Sequence, residues 1–398
     1  MGFIDCDAHI IETSETWSYL DRNEEAYRPR RAEFLDKRTA FDPSVRLERI
    51  WTTGDAWTTN LPSDSNQRGN ANLFEAAATH LTDPEARLAD LDALGIDAQI
   101  VISSFFIGVE LDNPLAEAAL SRSYNRWLAD RTSGQSGRLP WTMRPPLRML
   151  DRTFQEMEFA RNHGAVGVHV RGIEHGMFLS DPYFFPVYER AQDLDMAIIV
   201  HLGEAGRRVD NQEIGRLIYS PAAFDGHLHK LMAGFHAVIA SDLHQRYPRL
   251  RWGFVEGGAS WIPAVLQLHA RLNSSRSGFL KTHKLAPAEL EERNVFITCF
   301  SEEDLPYLTK LLGENVLVIG TDYAHNDAGA ELGAHTAVMN NQALERTAAC
   351  KIVDDNGRRL FGMSRVDRAA NAQRRPVDMP HVHGLGVGEA PTLYATTA

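Results

Sequence analysis

The chain has 398 residues, 43% of them hydrophobic, which is enough for one large core or two ordinary ones because the buried fraction of surface grows with length. Its 53 acidic residues outnumber 41 basic ones for a formal charge of −12, and no run of Lys or Arg suggests a nucleic-acid or membrane surface. No apolar stretch approaches the roughly 20 residues that cross a bilayer, and no secretory or myristoylation signal opens the chain, so a soluble, cytoplasmic protein is expected.

The first apolar run, residues 3–8 of "FIDCDAHIIE", reads as a buried strand that carries Asp5, Asp7 and His9 on alternate positions. Strict alternation puts these three on one face and Ile4, Cys6 and Ala8 on the other. Residues 12–82 follow, far too long for an ordinary loop, and contain Trp17, Trp51, Trp57 and Phe74 among many charges. They are expected to form a lid over the first strand's C-terminal end, whose aromatic residues read equally as apolar walls for a substrate, as a packing device or as a dimer contact.

Helix 83–95 has a capping Asp83, Pro84 in its first turn and Gly95 as its stop. Strands are then expected at 98–103, 139–143, 165–170, 196–200, 251–255, 294–298 and 315–320. Helices are expected at 113–131, 151–163, 182–193, 220–246, 259–273, 302–313 and 335–352. Eight strands alternating with eight helices predict an α/β fold, a closed (β/α)8 TIM barrel of residues 1–363 that includes the 12–82 insertion. An open doubly wound sheet would want a Gly-rich phosphate turn after the first strand, and none is present. Residues 364–398, polar and rich in Pro, Gly and Ala, read as a C-terminal tail.

Polar groups recur at the ends of the strands: Asp7 and His9, His169 and Arg171, His201, Glu256 and Asp322. Carboxylates and imidazoles converging at a barrel mouth repel or are stranded unless a cation holds them together. Asp7, His9, His201 and Asp322 would give a nitrogen and oxygen donor set with an open position. Such a set suits zinc or manganese, whereas calcium would want more oxygens and fewer imidazoles. Asp322 could also take a proton from metal-bound water. Asp5 reads equally as a loop cap, His169 as a satisfied core histidine and Arg171 as a surface charge. Cys6, Cys299 and Cys350 lie far apart without a CxxC and read as buried thiols, and Asn273-Ser-Ser means little without a secretory signal.

The segments "DCDAHIIE", "DPEARLADLDALGIDAQIV", "AIIVHLGE", "YPRLRWGFVEGGASWIP", "VLVIGTDYAHND" and "NGRRLFGM" resemble, in that order, the amidohydrolase-related family of aminocarboxymuconate semialdehyde decarboxylase. The resemblance implies a metal-dependent barrel with one divalent metal on Asp7, His9, His201 and Asp322, acting on small aromatic or unsaturated carboxylic acids, and a homodimer or higher homo-oligomer. Two departures stand out. Many relatives have His-x-His or Glu-x-His where this chain has Asp7 and His9, and the decarboxylases usually have a catalytic His where "VEGGASW" has Glu256. A glutamate there can be an acid only if burial raises its pKa; ionised, it can be a metal ligand or a general base.

Catalytic roles are therefore expected for Asp322 and Glu256, and substrate contacts for Trp141, Arg144, His169, Arg171 and His325, the arginines because their fork matches a carboxylate. Asp327 lies beside His325 in the same motif. Non-oxidative decarboxylation of a small carboxylic acid is the leading expectation. Hydrolysis of a C–C, amide or ester bond by metal-activated water is the alternative, and a catalytically inactive barrel used for binding is the second alternative. No GxSxG turn or Walker-type loop offers another chemistry.

Overall fold

The structure is a computed structural model and describes residues 2–34, 48–53, 56–58, 74–135, 137–203, 226–274, 285–325 and 329–364. Eight parallel strands run in chain order around one sheet: β1 Ile4–Ile10, β2 Ala98–Ser103, β3 Trp141–Met143, β4 Ala165–Arg171, β5 Ala197–His201, β6 Trp252–Val255, β7 Val295–Cys299 and β8 Leu317–Ile319. β1 meets the far edge through a parallel bridge between Ala8 and Tyr323, with the His9 N–H donating to the Tyr323 carbonyl at 2.8 Å and the Asp322 N–H to the Asp7 carbonyl at 2.9 Å. The predicted (β/α)8 barrel is the fold observed.

Among the described residues the longest helix in each link between successive strands is, in order, α1 Pro84–Leu94, α2 Pro114–Arg131, α3 Leu150–Asn162, α4 Phe185–Asp193, α5 Gly226–Ala240, α6 Ile262–Ser274 and α7 Leu305–Leu312. Local chemistry sets their ends. The Asp83 side chain accepts from the Glu85 N–H, Pro84 opens α1, and Gly95 takes the left-handed conformation that a Cβ would disfavour. Asn113 and Asp304 cap α2 and α7 in the same way. The expected 220–246 helix is interrupted after Ala240 and resumes at Leu243–Arg246, while residues 220–225 lie outside the described residues. The expected 335–352 helix is several pieces, Ala334–Asn340, Arg346–Cys350, a π-helical turn Lys351–Asp355 and Asn356–Phe361.

Two apolar layers follow from the strand period. Ile4, Cys6, Ile100, Ile199, Val255, Phe296 and Val318 form an inner cluster with Leu360 and Phe361, and Val101, Ile198, Phe254, Ile297 and Leu317 pack outward against the helices. β1 breaks the period. Its register with β2 shifts between Asp5 and Ala8, so Ala8 and Ile10 join the outer layer although Ile4 and Cys6 belong to the inner one. The expectation of one shared face for Asp5, Asp7 and His9 is thereby corrected. Asp5 pairs with Gln99 in the ladder and binds it outward, away from the lumen, while His9 pairs with the inward Ile102.

Of the 12–82 insertion, the described parts include an antiparallel sheet of Arg30–Phe34, Glu48–Thr53 and Ala56–Thr58. Trp17 and Phe74 are core residues, Trp17 edge-on to Phe105 and Phe106, and Phe74 against Tyr323. The side chains of Trp51 and Trp57 lie outside the described residues, as do Asp327 and the tail beyond Ser364. Cys6 and Cys299 are buried free thiols whose pKa burial pushes well up, and Cys350 is half-buried. Among the described residues no helix is long and apolar enough to cross a membrane.

Gly320, just after β8, packs directly against Asp7 of β1: a Cβ built on Gly320 would lie 2.3 Å from the Asp7 Cβ. Gly320→Ala should therefore cost about 1–3 kcal/mol of stability through overpacking. Urea unfolding of the variant beside the wild type measures it, and an unchanged midpoint would contradict this tight contact.

Candidate metal centre

The bulge in β1 brings Asp7 and His9 together at the C-terminal end of the lumen, and β5 ends there with His201. All three are buried, as is Asp322. His9 Nε2 lies 3.2 Å from His201 Nε2, 3.2 Å from Asp7 Oδ1 and 3.4 Å from Asp322 Oδ1, and His201 Nε2 lies 3.3 Å from Asp7 Oδ1. The four residues expected as ligands are thus neighbours.

Protonation follows from their partners. His201 Nδ1 is 2.5 Å from the Leu202 carbonyl, which can only accept, so Nδ1 carries a hydrogen and Nε2 is the nitrogen turned toward His9. Burial, with His325 and His201 nearby, holds His9 well below the usual imidazole range, and its Nδ1 has no hydrogen-bond partner. Burial alone would lift Asp7, but His201 and His9 outweigh it and keep the carboxyl below its ordinary range. Two imidazole Nε2 atoms 3.2 Å apart, beside a carboxylate oxygen, form a buried donor set that a cation among them would hold together. The donor chemistry fits a divalent metal on nitrogen and oxygen.

Ligand atoms of Asp7, His9, His201 and Glu256 form one set, and those of His9, Asp322 and His325 another, with the atoms inside each set within 4.8 Å of one another. Glu256 Oε2 is 3.2 Å from His201 Nδ1, on the side of the ring away from His9. That geometry suits a carboxylate that orients the ring. His325 stacks on His9 with ring centroids 3.9 Å apart and has Nδ1 2.8 Å from Asp322 Oδ1. His169 faces the same space edge-on to His201, 5.6 Å between centroids; it is fully buried, and neither ring nitrogen has a hydrogen-bond partner. Burial, with Arg144 and His201 adding to it, holds His169 well below the usual range, so the ring is neutral.

The other expected substrate contacts lie elsewhere or are already engaged. Trp141 is at the opposite end of the barrel: it opens β3, and its indole N–H donates at 3.0 Å to the carbonyl of His163, just past the C-terminus of α3. Arg144 and Arg171 both reach the mouth, but each is fully buried and paired with Glu174, at 2.8 and 2.6 Å. Arg144 also donates to the His169 carbonyl at 3.1 Å, and Arg171 to the Val109 carbonyl at 2.8 Å. Burial alone would lift Glu174, yet Arg144 and Arg171 hold it well below the carboxylate range. His175 extends the set, 3.1 Å from Glu110 and 3.0 Å from Glu117. The forks expected to meet a substrate carboxylate meet a protein one.

Three contributors were not expected from the sequence. Glu174 follows Arg171 by three residues, a spacing common on exposed surfaces and uninformative alone. Glu12 accepts from Ser103 Oγ and, at 3.0 Å, from the Phe105 N–H, and Ser104 Oγ contacts His325 Nε2 at 2.8 Å. Ser104 stands immediately after a predicted strand, so the rule that picked out His201 could have picked it too.

The family described as Amidohydrolase is matched over residues 4–363. A 2-amino-3-carboxymuconate-6-semialdehyde decarboxylase of Dictyostelium discoideum is 23% identical over 255 residues, which is 63% of this chain and 69% of that protein. An amidohydrolase of Mycobacterium avium subsp. paratuberculosis K-10 superposes with a TM-score of 0.72 at 17% identity, covering 91% of this chain and 98% of that one. A dihydroxybenzoic acid decarboxylase of Polaromonas sp. JS666, crystallised with manganese and 2-nitroresorcinol, gives 0.60 at 17% identity, covering 92% and 98%. At these identities the structural likenesses establish the fold.

Two measurements check the site's electrostatics. Glu174→Gln leaves two buried guanidinium groups short of their counter-charge and should destabilise by about 3–5 kcal/mol in urea unfolding, far beyond the effect of a surface charge. Burial raises the Glu12 carboxyl from 4.5 to about 7. The folded protein therefore holds that proton more tightly than the unfolded chain. The resulting stability is fully present below a pH of about 4.5 and is lost as pH rises through about 7. Between about pH 5 and about pH 8 the wild type should lose stability relative to Glu12→Gln, and parallel stability curves would refute the shift.

Proposed function

Because the chain belongs to the amidohydrolase family, we propose that it is a metal-dependent decarboxylase that releases carbon dioxide from a small aromatic or unsaturated carboxylic acid. The observation that carries this reading is the convergence of His9 Nε2, His201 Nε2, Asp7 Oδ1 and Asp322 Oδ1 in a buried mouth, with a neutral, unpartnered His169 beside them. The decarboxylase relatives support the reaction class.

Asp7, His9, His201 and Asp322 would hold the metal, with zinc first and manganese second on this donor set. Bound there, a divalent cation would supply electrostatic stabilisation to an anionic substrate. The Leu202 carbonyl and Glu256 keep the His201 ring oriented. His169 donates one ring N–H to a substrate oxygen, which ends its unpartnered state. The Asp322 carboxyl delivers a proton to the carbon that bears the departing group: a C–H bond forms, the C–C bond breaks, and the electron pair it leaves behind restores the ring or alkene as carbon dioxide departs. His325 Nδ1, 2.8 Å from Asp322 Oδ1, accepts a hydrogen bond from the protonated carboxyl and orients it, and after transfer Asp322 regains a proton from solvent once the product has left. Burial around these groups excludes bulk water and favours carbon protonation over side reactions. The buried thiols of Cys6 and Cys299 support a cytoplasmic setting.

The test is to load the purified protein with zinc or manganese and measure carbon dioxide from 2,6-dihydroxybenzoate, 5-carboxyvanillate and 2-amino-3-carboxymuconate-6-semialdehyde. Release from at least one is expected. His201→Ala should lose the bound metal and more than about a hundredfold in rate while keeping its fold, since the metal contributes several kcal/mol. Bound metal with no carbon dioxide from any of these acids would count against decarboxylation, and full metal occupancy in His201→Ala would remove that residue from the site.

A further inference from the structure

Ser104 is fully buried at the end of β2, and its hydroxyl has two neighbours: the Ile10 carbonyl oxygen at 2.6 Å and His325 Nε2 at 2.8 Å. A serine hydroxyl has a single proton, and a carbonyl can only accept. The proton therefore goes to Ile10, and Ser104 Oγ accepts from His325 Nε2. This fixes the direction of the imidazole. Nε2–H points to Ser104, Nδ1 stands 2.8 Å from Asp322 Oδ1, and the ring face lies on His9.

The peptide that carries Ser104 is held on both sides. Glu12 accepts from the Ser103 hydroxyl before it and from the Phe105 N–H after it, so the turn is tied to the end of β1. Through Ser104 and His325 the same turn reaches the loop after β8. Three strand ends that supply or support the metal centre are thus joined by one serine hydroxyl.

We propose that Ser104 is a positioning residue for the metal centre, acting through the His325 ring on Asp322. This rests on Asp322 being a metal ligand, as proposed above. Ser104 touches neither metal nor substrate; it sets which nitrogen of His325 meets the carboxylate, and so the orientation in which Asp322 is offered. A support of this kind is worth about ten- to a hundredfold in metal affinity.

Two readouts test it, neither of which needs a substrate. The first is the nitrogen pattern of His325 in the full chain labelled with 15N-histidine, with the signal assigned by its disappearance in His325→Gln. The second is zinc affinity by competition with a chromophoric chelator. In the wild type Nε2 should be the protonated nitrogen. Ser104→Ala should lose that fixed pattern and bind zinc about tenfold more weakly. Ser104→Thr, which keeps the hydroxyl, should restore both; it also serves as the test if the alanine variant fails to fold, because a threonine that leaves either readout at the alanine level defeats the idea. An unchanged His325 pattern or an unchanged zinc affinity in Ser104→Ala overturns the proposal. If the wild type itself binds no zinc, the metal-site reading fails and takes this one with it, whereas normal zinc binding with an indifferent Ser104 overturns the positioning role alone.

Discussion

The site depends on one irregularity, the shift of register in β1 between Asp5 and Ala8. A regular strand starting with Ile4 and Cys6 inward would have sent Asp7 and His9 outward, into the apolar layer beneath the helices. The bulge inserts the extra residue that reverses the alternation, so one strand contributes two apolar side chains to the lumen floor and two polar ones to its mouth. Asp5, left on the outer side, holds the deviation in place. Its carboxylate accepts from Gln99 Nε2 at 2.7 Å, from the Thr321 N–H at 2.9 Å and from the Thr321 hydroxyl at 2.5 Å, tying β1 to both neighbours in the barrel. Burial lifts its pKa to about 6 despite those donors.

Much of this was legible in the sequence. Eight apolar runs alternating with helices, without the Gly-rich turn of an open doubly wound sheet, point to a barrel, and polar residues at the ends of buried strands announce a mouth because buried charge needs a reason. The bulge was not legible. Asp5, Asp7 and His9 at alternate positions read as a single face, and only the pairing of Asp5 with Gln99 and of His9 with Ile102 separates them. Arg144 and Arg171 were misleading for a related cause. An arginine at a strand end has the same sequence signature whether its partner is a ligand or a buried glutamate, and Glu174 sits in a short hairpin whose path depends on tertiary packing.

That hairpin explains how the mouth tolerates so much charge. Arg144, Arg171 and His175 face Glu174, Glu110 and Glu117, so cations and anions are matched within the cluster before any ligand arrives. Burial would lower His175, but Glu110 and Glu117 outweigh it and raise its pKa, while the Glu110 carboxyl falls to about 2. Such a cluster adds little net stability, since desolvation offsets attraction, but it leaves each member with few alternative positions. His169 lies against this rigid wall, its carbonyl bound by Arg144 and its ring directed to the metal centre.

The opposite wall is held under strain. Glu256, Asp322 and Ala324 adopt φ of 71°, 50° and 79°, in the left-handed region where a side chain costs energy. For Glu256 the reason is geometric. Val255 points into the lumen, so an extended continuation of β6 would turn Glu256 away from it; the left-handed residue bends the chain back and brings the carboxylate to 3.2 Å from His201 Nδ1. The Glu256 N–H donates to Thr298 Oγ1 at 2.8 Å, and the Asp322 N–H donates to the Asp7 carbonyl, so neighbouring strands hold the unfavourable torsions. Non-glycine residues persist in such conformations when the surrounding structure over-determines them. Here that structure is the barrel, and the carboxylates it strains are the ones turned toward His201 and His9.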